Sequence, residues 1–272
     1  MRWQGHLHKM HSEAGDPITY RLELGDEVLP LNSWLGRSLR IEYLDEIECV
    51  YCGRTTRKSF SQGYCYPCFT RLAQCDLCIM SPEKCHFHLG TCREPEWARQ
   101  NCMQAHVVYL SNTSGVKVGI TRQSQIPTRW IDQGALQALS ILRVSQRYHA
   151  GLIESAFRDY LSDRTNWRKM LKNEVDPVDL YQVYDSYWPR VKSALADDLL
   201  AGVEEMAQPD AVVSLNYPAL RYPTKVTSFN LDKNPRIEGV LEAIKGQYLV
   251  FDSGVINIRR YGGYLVRIEE AC

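Results

Sequence analysis

The sequence is short of the features that mark membrane and exported proteins. Its 272 residues contain no apolar run approaching the roughly 18 residues of a transmembrane helix. The first residues lack the basic segment followed by an apolar segment that is typical of a signal peptide. Internal repeats and low-complexity tracts are absent as well. We therefore expect a cytoplasmic protein without a membrane partner.

The composition is that of a globular protein, but its charge is segregated. Hydrophobic residues make up 44% and charged residues 24% of the chain, which has room for two or three modest domains. The formal net charge is zero. Residues 105–172 nevertheless hold ten Lys or Arg against four Asp or Glu, and residues 173–213 hold two against nine. This pattern predicts either a local basic surface for an anionic partner or two segments that neutralise each other.

Periodicity and turn residues divide the chain into five predicted segments. They are an N-terminal β segment over 1–48, a cysteine-rich domain over 49–104, a small α/β domain over 105–175, an acidic helical segment over 176–213 and a C-terminal β segment over 214–272. In the last segment, Asp252-Ser253-Gly254 and Gly262-Gly263 are predicted hairpin turns. We thus predict an α+β protein whose two terminal segments are β-barrel-like. The sequence does not decide whether both ends share one barrel.

Cysteine is abundant and concentrated, since nine of the ten cysteines lie between Cys49 and Cys102. Pairs of the CxxC type in a chain without an export signal indicate metal ligands rather than disulfides. The motifs "CVYC" and "CYPC", twelve residues apart, predict a four-thiolate zinc site of the zinc-ribbon or treble-clef kind. Its ligands are Cys49, Cys52, Cys65 and Cys68. Gly53 follows the first pair, where the turn requires positive φ, and an iron–sulfur cluster is the alternative occupant.

A second zinc site is predicted from the cysteines that follow. Its first-choice ligands are Cys75, Cys78, Cys85 and Cys92, with His88 or His86 as a substitute for one of the last two. Cys102 is predicted to be a buried free thiol and Cys272 an ordinary terminal one. Closed four-thiolate sites leave no open position on the metal, so both zinc ions are expected to be structural. A redox or metal-sensing role for the thiolates is a third functional alternative.

Several residues that could take part in a reaction are concentrated in the basic segment 105–172. Tyr109 and Lys117 are predicted on two strands joined by a tight turn, and Gly119 permits a close approach near the end of the second strand. Arg129 follows Pro127 in the first turn of a helix. Glu154 lies on a later helix, where an ion pair with Arg158 would be worth only about 0.3–0.5 kcal/mol.

These residues and their order resemble the GIY-YIG nuclease superfamily over about 68 residues. "VVY" stands at the first signature and "KVGIT" at the second, an arginine follows on the next helix, and a glutamate on the helix after that. The second signature begins with Lys117, as in one subgroup of the superfamily, rather than with tyrosine. Asn166 and Asn173 are loose candidates for the family's downstream asparagine. The motifs "YCYPC", "CHFHLGTCREPEW", "RWIDQGA" and "KGQYL" make the whole chain similar to a bacterial and archaeal family catalogued as a domain of unknown function.

The superfamily resemblance implies a metal-dependent endonuclease. Glu154 would hold one Mg²⁺ or Mn²⁺, Arg129 would bind the phosphate, Tyr109 would orient or deprotonate the attacking water, and Lys117 would tune a phenol or bind phosphate. The alternative is a zinc-stabilised protein that binds DNA or RNA without cleaving it. Either would use a basic surface formed by Arg122, Arg143, Arg147 and Arg158. Trp130 is predicted to be core rather than a base-stacking ring.

Overall fold

The computed structural model describes residues 1–270 as a mixed α+β protein, in agreement with the predicted class. Ala271 and Cys272 lie outside the described residues, and so does the prediction for Cys272. Within residues 1–270, no helix has both the length and the apolar character needed to cross a membrane.

Fourteen strands and eight α-helices form within the described residues. The strands are β1 (Arg2–His6), β2 (His11–Glu13), β3 (Thr19–Leu24), β4 (Glu27–Pro30), β5 (Ser38–Ile47), β6 (His106–Asn112), β7 (Val116–Arg122), β8 (Gln137–Val144), β9 (Glu204–Glu205), β10 (Val213–Ser214), β11 (Arg236–Lys245), β12 (Tyr248–Phe251), β13 (Gly254–Asn257) and β14 (Tyr264–Glu270). The helices are α1 (Tyr66–Arg71), α2 (Leu77–Met80), α3 (Pro95–Asn101), α4 (Thr128–Asp132), α5 (Arg147–Phe157), α6 (Trp167–Leu171), α7 (Leu180–Ser193) and α8 (Asp197–Leu200).

The chain divides into two compact units, each with its own core. The first unit contains Met1–Thr70, Leu171–Asn173 and the residues from Asn216 onward, and the second contains Arg71–Met170 and Glu174–Leu215. The predicted cysteine-rich segment 49–104 is therefore divided after Thr70. The reason lies in its contacts, since Glu48 donates a backbone hydrogen bond to Gly263 in the first unit, whereas Pro82 packs on Gly151 in the second.

The first unit is built on a six-stranded antiparallel sheet in the order β1-β14-β5-β11-β12-β13, beside a smaller sheet in the order β2-β3-β4. The strict alternation of β3 places Tyr20, Leu22 and Leu24 in the core and the residues between them in solvent. Strands from the two ends of the sequence thus share one sheet, because β14 pairs with β1 on one side and β5 on the other.

The predicted barrel is wrong, because this sheet does not close within residues 1–270. Its end strands are β1 and β13, and the outer edge of β13 is already used. Val255 donates a backbone hydrogen bond to Thr227 (2.8 Å) and accepts one from Phe229 (2.9 Å). An edge whose hydrogen-bonding groups are taken by a local segment has none left for pairing with β1.

Of the two predicted hairpin turns, only one joins two strands. Asp252-Ser253-Gly254 connects β12 to β13, as predicted. Gly262 and Gly263 instead link a short 3-10 helix to β14. Gly263 has a φ of +83° and lies against the backbone oxygen of Glu48, so these glycines serve a close approach of two chain segments rather than a hairpin.

The second unit is built on an antiparallel sheet in the order β10-β8-β6-β7, with β9 also paired to β8. Helices α5 and α7 pack on it, and Ile153, Phe157, Tyr184 and Trp188 join the strand residues in the core. The segment predicted as purely helical over 176–213 therefore ends in two short strands, β9 and β10. Both extend the sheet at β8.

The elements predicted around the candidate residues form in the predicted order. Strands β6 and β7 make a hairpin, α4 follows Pro127 and ends before Gly134, whose φ is +73°, and β8 precedes α5. Helix α5 ends at Phe157. The chain turns back there because Ser162 accepts a hydrogen bond from Val118 of β7 (2.9 Å).

Candidate functional site

The four cysteines of the first predicted zinc site lie together in the first unit. The sulfur atoms of Cys49, Cys52, Cys65 and Cys68 are all within 4.8 Å of one another. Those of Cys52 and Cys65 are 3.8 Å apart. A tetrahedral zinc ion with Zn–S bonds of about 2.3 Å separates its sulfur ligands by about 3.8 Å. The donor set and its spacing therefore fit a zinc ion.

Local backbone geometry gathers these sulfur atoms. In the first pair, Gly53 donates to the backbone oxygen of Cys49 (2.9 Å) and has a φ of +67°, as predicted for the turn. In the second pair, α1 begins directly after Cys65 and carries Cys68 in its first turn. One pair thus belongs to a tight turn and the other to a helix start.

Backbone amides prepare Cys49 for metal binding. Burial acts to raise the pKa of Cys49, but hydrogen bonds from the backbone N–H groups of Cys65, Cys52 and Tyr51 outweigh it and lower that pKa to about 6. The thiolate is the form that binds zinc. Since three of the four cysteines are buried, the cluster is suited to a closed structural site.

The cysteines of the second predicted zinc site are only partly brought together. Cys78, Cys85 and Cys92 line one cavity of about 20 Å³ in the second unit, and Cys102 lines it with them. Cys75 is not among the residues around that cavity. The substitute ligand His88 packs against the ring of Tyr148, with centroids 5.6 Å apart.

Asp76 and His86 lie at the same cavity, in a group with Cys78 whose ligand atoms are within 4.8 Å of one another. The Asp76 carboxylate is 2.6 Å from Arg93 Nε and 3.5 Å from His86 Nε2. It also caps α2 by accepting from the Cys78 backbone N–H. Burial acts to raise the pKa of Asp76, and these partners together hold it below its ordinary value.

The ring of Tyr109 packs on Gly119 across the β6–β7 hairpin. They are directly paired, and a Cβ added to Gly119 would lie 2.6 Å from the Tyr109 hydroxyl oxygen. The ring therefore lies over the glycine, fully buried. Its hydroxyl donates to Gln133 Oε1 at 2.8 Å, and the positive charge of Arg129 acts on it. Burial raises the pKa of Tyr109, which opposes a role as a base.

Lys117 lies one diagonal step from Tyr109 on the same sheet face, paired with Ser111. Only 4% of its surface is exposed, and within residues 1–270 its ammonium group has no hydrogen-bond partner. Burial, followed by repulsion from Arg129, lowers the pKa of Lys117 to about 8. Glu154 and Asp163 act in the opposite direction, which places both carboxylates near it.

Helix α4 carries Arg129 into this cluster and buries Trp130 beneath it. The indole is 3% exposed and packs edge-on against Tyr109, with ring centroids 6.1 Å apart. The prediction that Trp130 is core is therefore confirmed. The first turn of α4 thus supports the Tyr109 ring through Trp130 and places the charge of Arg129 near the Tyr109 hydroxyl.

Glu154 is half-buried on α5. Several cations act on it electrostatically, but it is bonded to none of them. No hydrogen bond or ion pair within 4 Å is formed by its carboxylate in the described part of the chain. Burial raises the pKa of Glu154 to about 6, with Asp163 adding to the effect, while Arg158, Arg147 and Arg129 oppose it. A carboxylate that is partly desolvated and unpaired is a ready ligand for a cation.

Each arginine of the predicted basic surface is engaged by the protein itself. Arg122 donates to Asn101 (2.6 Å), Arg143 to Glu204 (2.7 Å) and Arg147 to the backbone oxygen of Ile79 (2.7 Å). Arg158 forms ion pairs with Glu83 (3.3 Å) and Asp163 (3.7 Å). The Arg143–Glu204 pair joins the basic and acidic segments, in line with the alternative that they neutralise each other.

Two residues of the cluster around Glu154 and one at the cysteine-lined cavity were not identified as site residues from the sequence. Gln133 receives the Tyr109 hydroxyl hydrogen, Asp163 lies near both Lys117 and Glu154, and Cys102 faces the cavity of the second cysteine set. Only Cys102 carried a signal in the sequence, since it is the next cysteine after Cys92. The other two are common polar residues in a turn or at a helix end.

The fold and its sites define an α+β protein with a four-cysteine cluster able to hold a zinc ion. The chain belongs to the family described as "Protein of unknown function (DUF2797)", whose model matches residues 36–266. This match confirms that the whole chain resembles a family of unknown function, as its motifs indicated. No curated protein and no solved structure matches the chain.

Proposed function

We propose that the protein acts on nucleic acid through a divalent-metal-dependent phosphodiesterase site centred on Glu154. The observation that carries this proposal is the convergence of four residues that are distant in sequence, Tyr109, Lys117, Arg129 and Glu154, in one electrostatically coupled cluster. These are the positions implied by the resemblance to GIY-YIG nucleases. The antiparallel pairing of β6 with β7 and β8, followed by α5, supports the same resemblance.

The charge of the cluster favours an anionic substrate. Four cations face three carboxylates: Lys117, Arg129, Arg147 and Arg158 against Glu154, Asp163 and Glu83, the ion-pair partner of Arg158. A desolvated excess of positive charge attracts a phosphodiester and is strongest where water is excluded. Because Lys117 is buried, its charge is held in one place, unlike the charge of a mobile side chain at the surface.

Glu154 fits a hard divalent cation, because its carboxylate is half-buried and has no partner within residues 1–270. The nearby carboxylate of Asp163 could accept a hydrogen bond from a water on the ion. A bound Mg²⁺ or Mn²⁺ would supply positive charge that polarises the scissile phosphate. Arg158 would hold Asp163 in place through the ion pair between them.

The remaining residues take roles that their contacts permit. Arg129 would donate to the non-bridging oxygens of the phosphate, for which its planar guanidinium is suited. Tyr109 is buried with its hydroxyl bonded to Gln133 and under the electrostatic influence of Arg129, so it would help to position Arg129 rather than deprotonate water. Lys117 would strengthen the local field as a largely protonated amine at neutral pH.

A non-catalytic nucleic-acid-binding protein is the second candidate. One observation favours it, namely that Tyr109 is fully buried with a raised pKa and therefore supplies no base for an attacking water. The two candidates agree on binding and differ in the need for Glu154.

Cleavage and binding of labelled single- and double-stranded DNA and RNA, including a structured tRNA, would test the proposal. The full chain would be compared with Glu154→Gln, with and without Mg²⁺ or Mn²⁺. Asp159→Asn is the matched control, since Asp159 lies two residues beyond the end of the same helix and is exposed. We expect cutting that is lost in Glu154→Gln and retained in Asp159→Asn.

The outcomes separate the candidates. Binding that persists in Glu154→Gln while cutting disappears would support the nuclease. Binding without cutting in every protein would favour the second candidate. Absence of both in the native chain would overturn both.

A further inference from the structure

A groove in the second unit is lined mainly by rings. Its volume is about 330 Å³, within the range of about 300–1,000 Å³ that is common for sites of small ligands. The seven residues that line it include no Lys, Arg, Asp or Glu, and four of them carry a ring: Phe87, His88, Tyr148 and His149. The groove therefore suits a flat ligand without formal charge.

Two short stretches of chain bring these rings together. Phe87 and His88 lie in the 3-10 helix Phe87–Leu89, and Tyr148 and His149 lie in the first turn of α5. The rings of His88 and Tyr148 have centroids 5.6 Å apart, and those of Tyr148 and His149 have centroids 6.1 Å apart. Tyr148 is thus the central ring in a row of three.

Polar atoms at the groove remain available to a ligand. The side-chain amide nitrogen of Gln146 donates to His149 Nε2 (2.8 Å), so this ring nitrogen carries no proton and the imidazole is neutral. Burial also lowers the pKa of His149, against the opposing charge of Asp198. In the described part of the chain, Gln146 Oε1, His149 Nδ1 and the Tyr148 hydroxyl have no hydrogen-bond partner. These groups offer one acceptor, one donor and one hydroxyl that can act as either.

A nucleobase matches both properties of the groove. Its ring stacks on aromatic side chains, and its edge carries hydrogen-bond donors and acceptors without a charge. Proline-rich peptides also bind to aromatic grooves, but as extended helices that rise by about 3.1 Å per residue. A groove of about 330 Å³ is near the lower limit for small-ligand sites. It therefore has room for one base rather than for several residues of a peptide.

The groove and the cluster around Glu154 lie on the same helix. Arg147 and Glu154 are seven residues apart, about two turns, and so share one face of α5. Tyr148 and His149 follow Arg147 directly and belong to the adjoining face. Tyr148 lies six residues before Glu154, which is about 9 Å along the helix axis. Since the bases of a strand follow each other at about 3.4 Å along a duplex axis, this length spans roughly two or three nucleotides.

We propose that this groove binds one unpaired nucleobase of a single-stranded nucleic acid, with Tyr148 as the main stacking ring. The choice of a nucleic acid rests on the proposed function, whereas the preference for a flat, uncharged ligand rests on the groove alone. Gln146 and His149 would bond the edge of the base, and the strand would continue along α5 towards Glu154. A base inside a duplex is already paired and stacked, so the groove selects strands that are single or locally open.

The test compares two labelled single strands of equal length, one that carries bases and one made of abasic sites. Binding is measured without added Mg²⁺ or Mn²⁺, for the full chain and for Tyr148→Leu, which keeps an apolar side chain but removes the ring. Tyr160→Leu is the matched control. Tyr160 is exposed, lies beyond the end of α5 and packs on Tyr187, with ring centroids 5.6 Å apart, rather than on the groove.

We expect the native chain to bind the base-bearing strand more tightly than the abasic strand. In Tyr148→Leu the Kd of the base-bearing strand should rise by about 5- to 150-fold, equivalent to about 1–3 kcal/mol for one stacked base. The Kd of the abasic strand should not change, and Tyr160→Leu should bind both strands like the native chain. His88→Leu, at an exposed ring of the same row, should act in the same direction and replaces Tyr148→Leu if that variant does not fold.

Equal binding of both strands by the native chain would overturn the proposal and leave the proposed function intact. Titration with free nucleosides covers the opposite case. A nucleoside that binds the native chain but not Tyr148→Leu, with no oligonucleotide bound, would support the base site and overturn the proposed function. If neither nucleosides nor oligonucleotides bind, both proposals fall. Binding of a proline-rich peptide in place of nucleosides would also overturn the base site.

Discussion

The four-cysteine cluster and the cluster around Glu154 are both withdrawn from solvent, but their polar groups are satisfied in opposite ways. In the first, all four sulfur atoms lie at mutual ligand distance, so one zinc ion would satisfy them together. Around Glu154, the pKa of the carboxyl rises to about 6 and that of Lys117 falls to about 8, mainly because of burial. The first arrangement stabilises the fold. The second keeps charged groups buried, which lowers the free energy of unfolding.

The largest effect is expected from Cys65→Ser, which removes one ligand of the four-cysteine cluster. The metal then loses its closed site, and a buried thiolate set is left without its ion. We expect the zinc content to fall by one per chain and the free energy of unfolding to fall by more than about 4 kcal/mol. Urea unfolding with zinc analysis would measure both.

Cys75→Ser is the matched control for this change, because it also replaces one cysteine but lies outside the four-cysteine cluster. It should leave the zinc ion of that cluster in place. Equal stability losses in the two variants would mean that the four-cysteine cluster has no special role in stability.

The next largest effect is expected from Gly119→Ala. The new methyl group would lie 2.6 Å from the Tyr109 hydroxyl oxygen, in a fully buried site. Overpacking of this kind destabilises by about 1–3 kcal/mol. Gly202→Ala is the control, since the nearest atom to its Cβ is 3.7 Å away. Thermal or urea unfolding should show a loss only in the first variant, and no loss in either would show that Tyr109 moves freely.

Glu154→Gln tests whether the charge of the second cluster is destabilising, and the effect should depend on pH. The pKa of Glu154 is raised from 4.5 to about 6 by burial. The folded state therefore holds this proton more tightly than the unfolded state. The contribution to stability is present below pH 4.5 and is lost as the pH rises through 6, a loss of roughly 2 kcal/mol.

The variant cannot ionise at this position, so it should gain stability relative to the native chain between pH 4.5 and pH 7. Urea unfolding of both proteins at the two pH values gives the difference. Asp159→Asn should show no such change. If the native chain and Glu154→Gln differ equally at both pH values, the pKa of Glu154 is not raised.

The smallest effect on stability is expected from Tyr109→Phe. The change keeps the ring over Gly119 and against Trp130 but removes the hydroxyl beside Arg129 together with its hydrogen bond to Gln133. Loss of a buried hydrogen-bonding group costs about 1 kcal/mol. Unfolding would measure this, and binding of a labelled oligonucleotide should weaken, because Arg129 loses its support. A loss as large as that of Gly119→Ala would mean that the hydroxyl, rather than the ring, determines the packing.

The sequence predicted best those features that depend on neighbouring residues. Two CxxC motifs with Gly53 define the first zinc site, since each motif supplies two ligands from one short turn. The β6–β7 hairpin, α4 after Pro127 and the amphipathic α5 follow from alternation, turn residues and helical period. Each is specified within about 15 residues of chain.

Features that depend on contacts between residues far apart in the sequence could not be predicted in the same way. The open sheet of the first unit follows from residues 227–229 occupying the edge of β13, which no local pattern indicates. That Cys102 lines the same cavity as Cys78 depends on residues 24 positions apart in the sequence. The bond from Tyr109 to Gln133 depends on the end of α4, a single turn of helix whose length the sequence leaves undefined.

The position of β14 between β1 and β5 has a consequence for the order of events during synthesis. A chain that leaves the ribosome presents β1 and β5 early, but the strand that joins them is the last to appear. The second unit lies between these segments in sequence and can fold first, because domains fold as units while synthesis proceeds. Until β14 is released, β1 has no strand partner, and the edge of β5 remains open to wrong pairing.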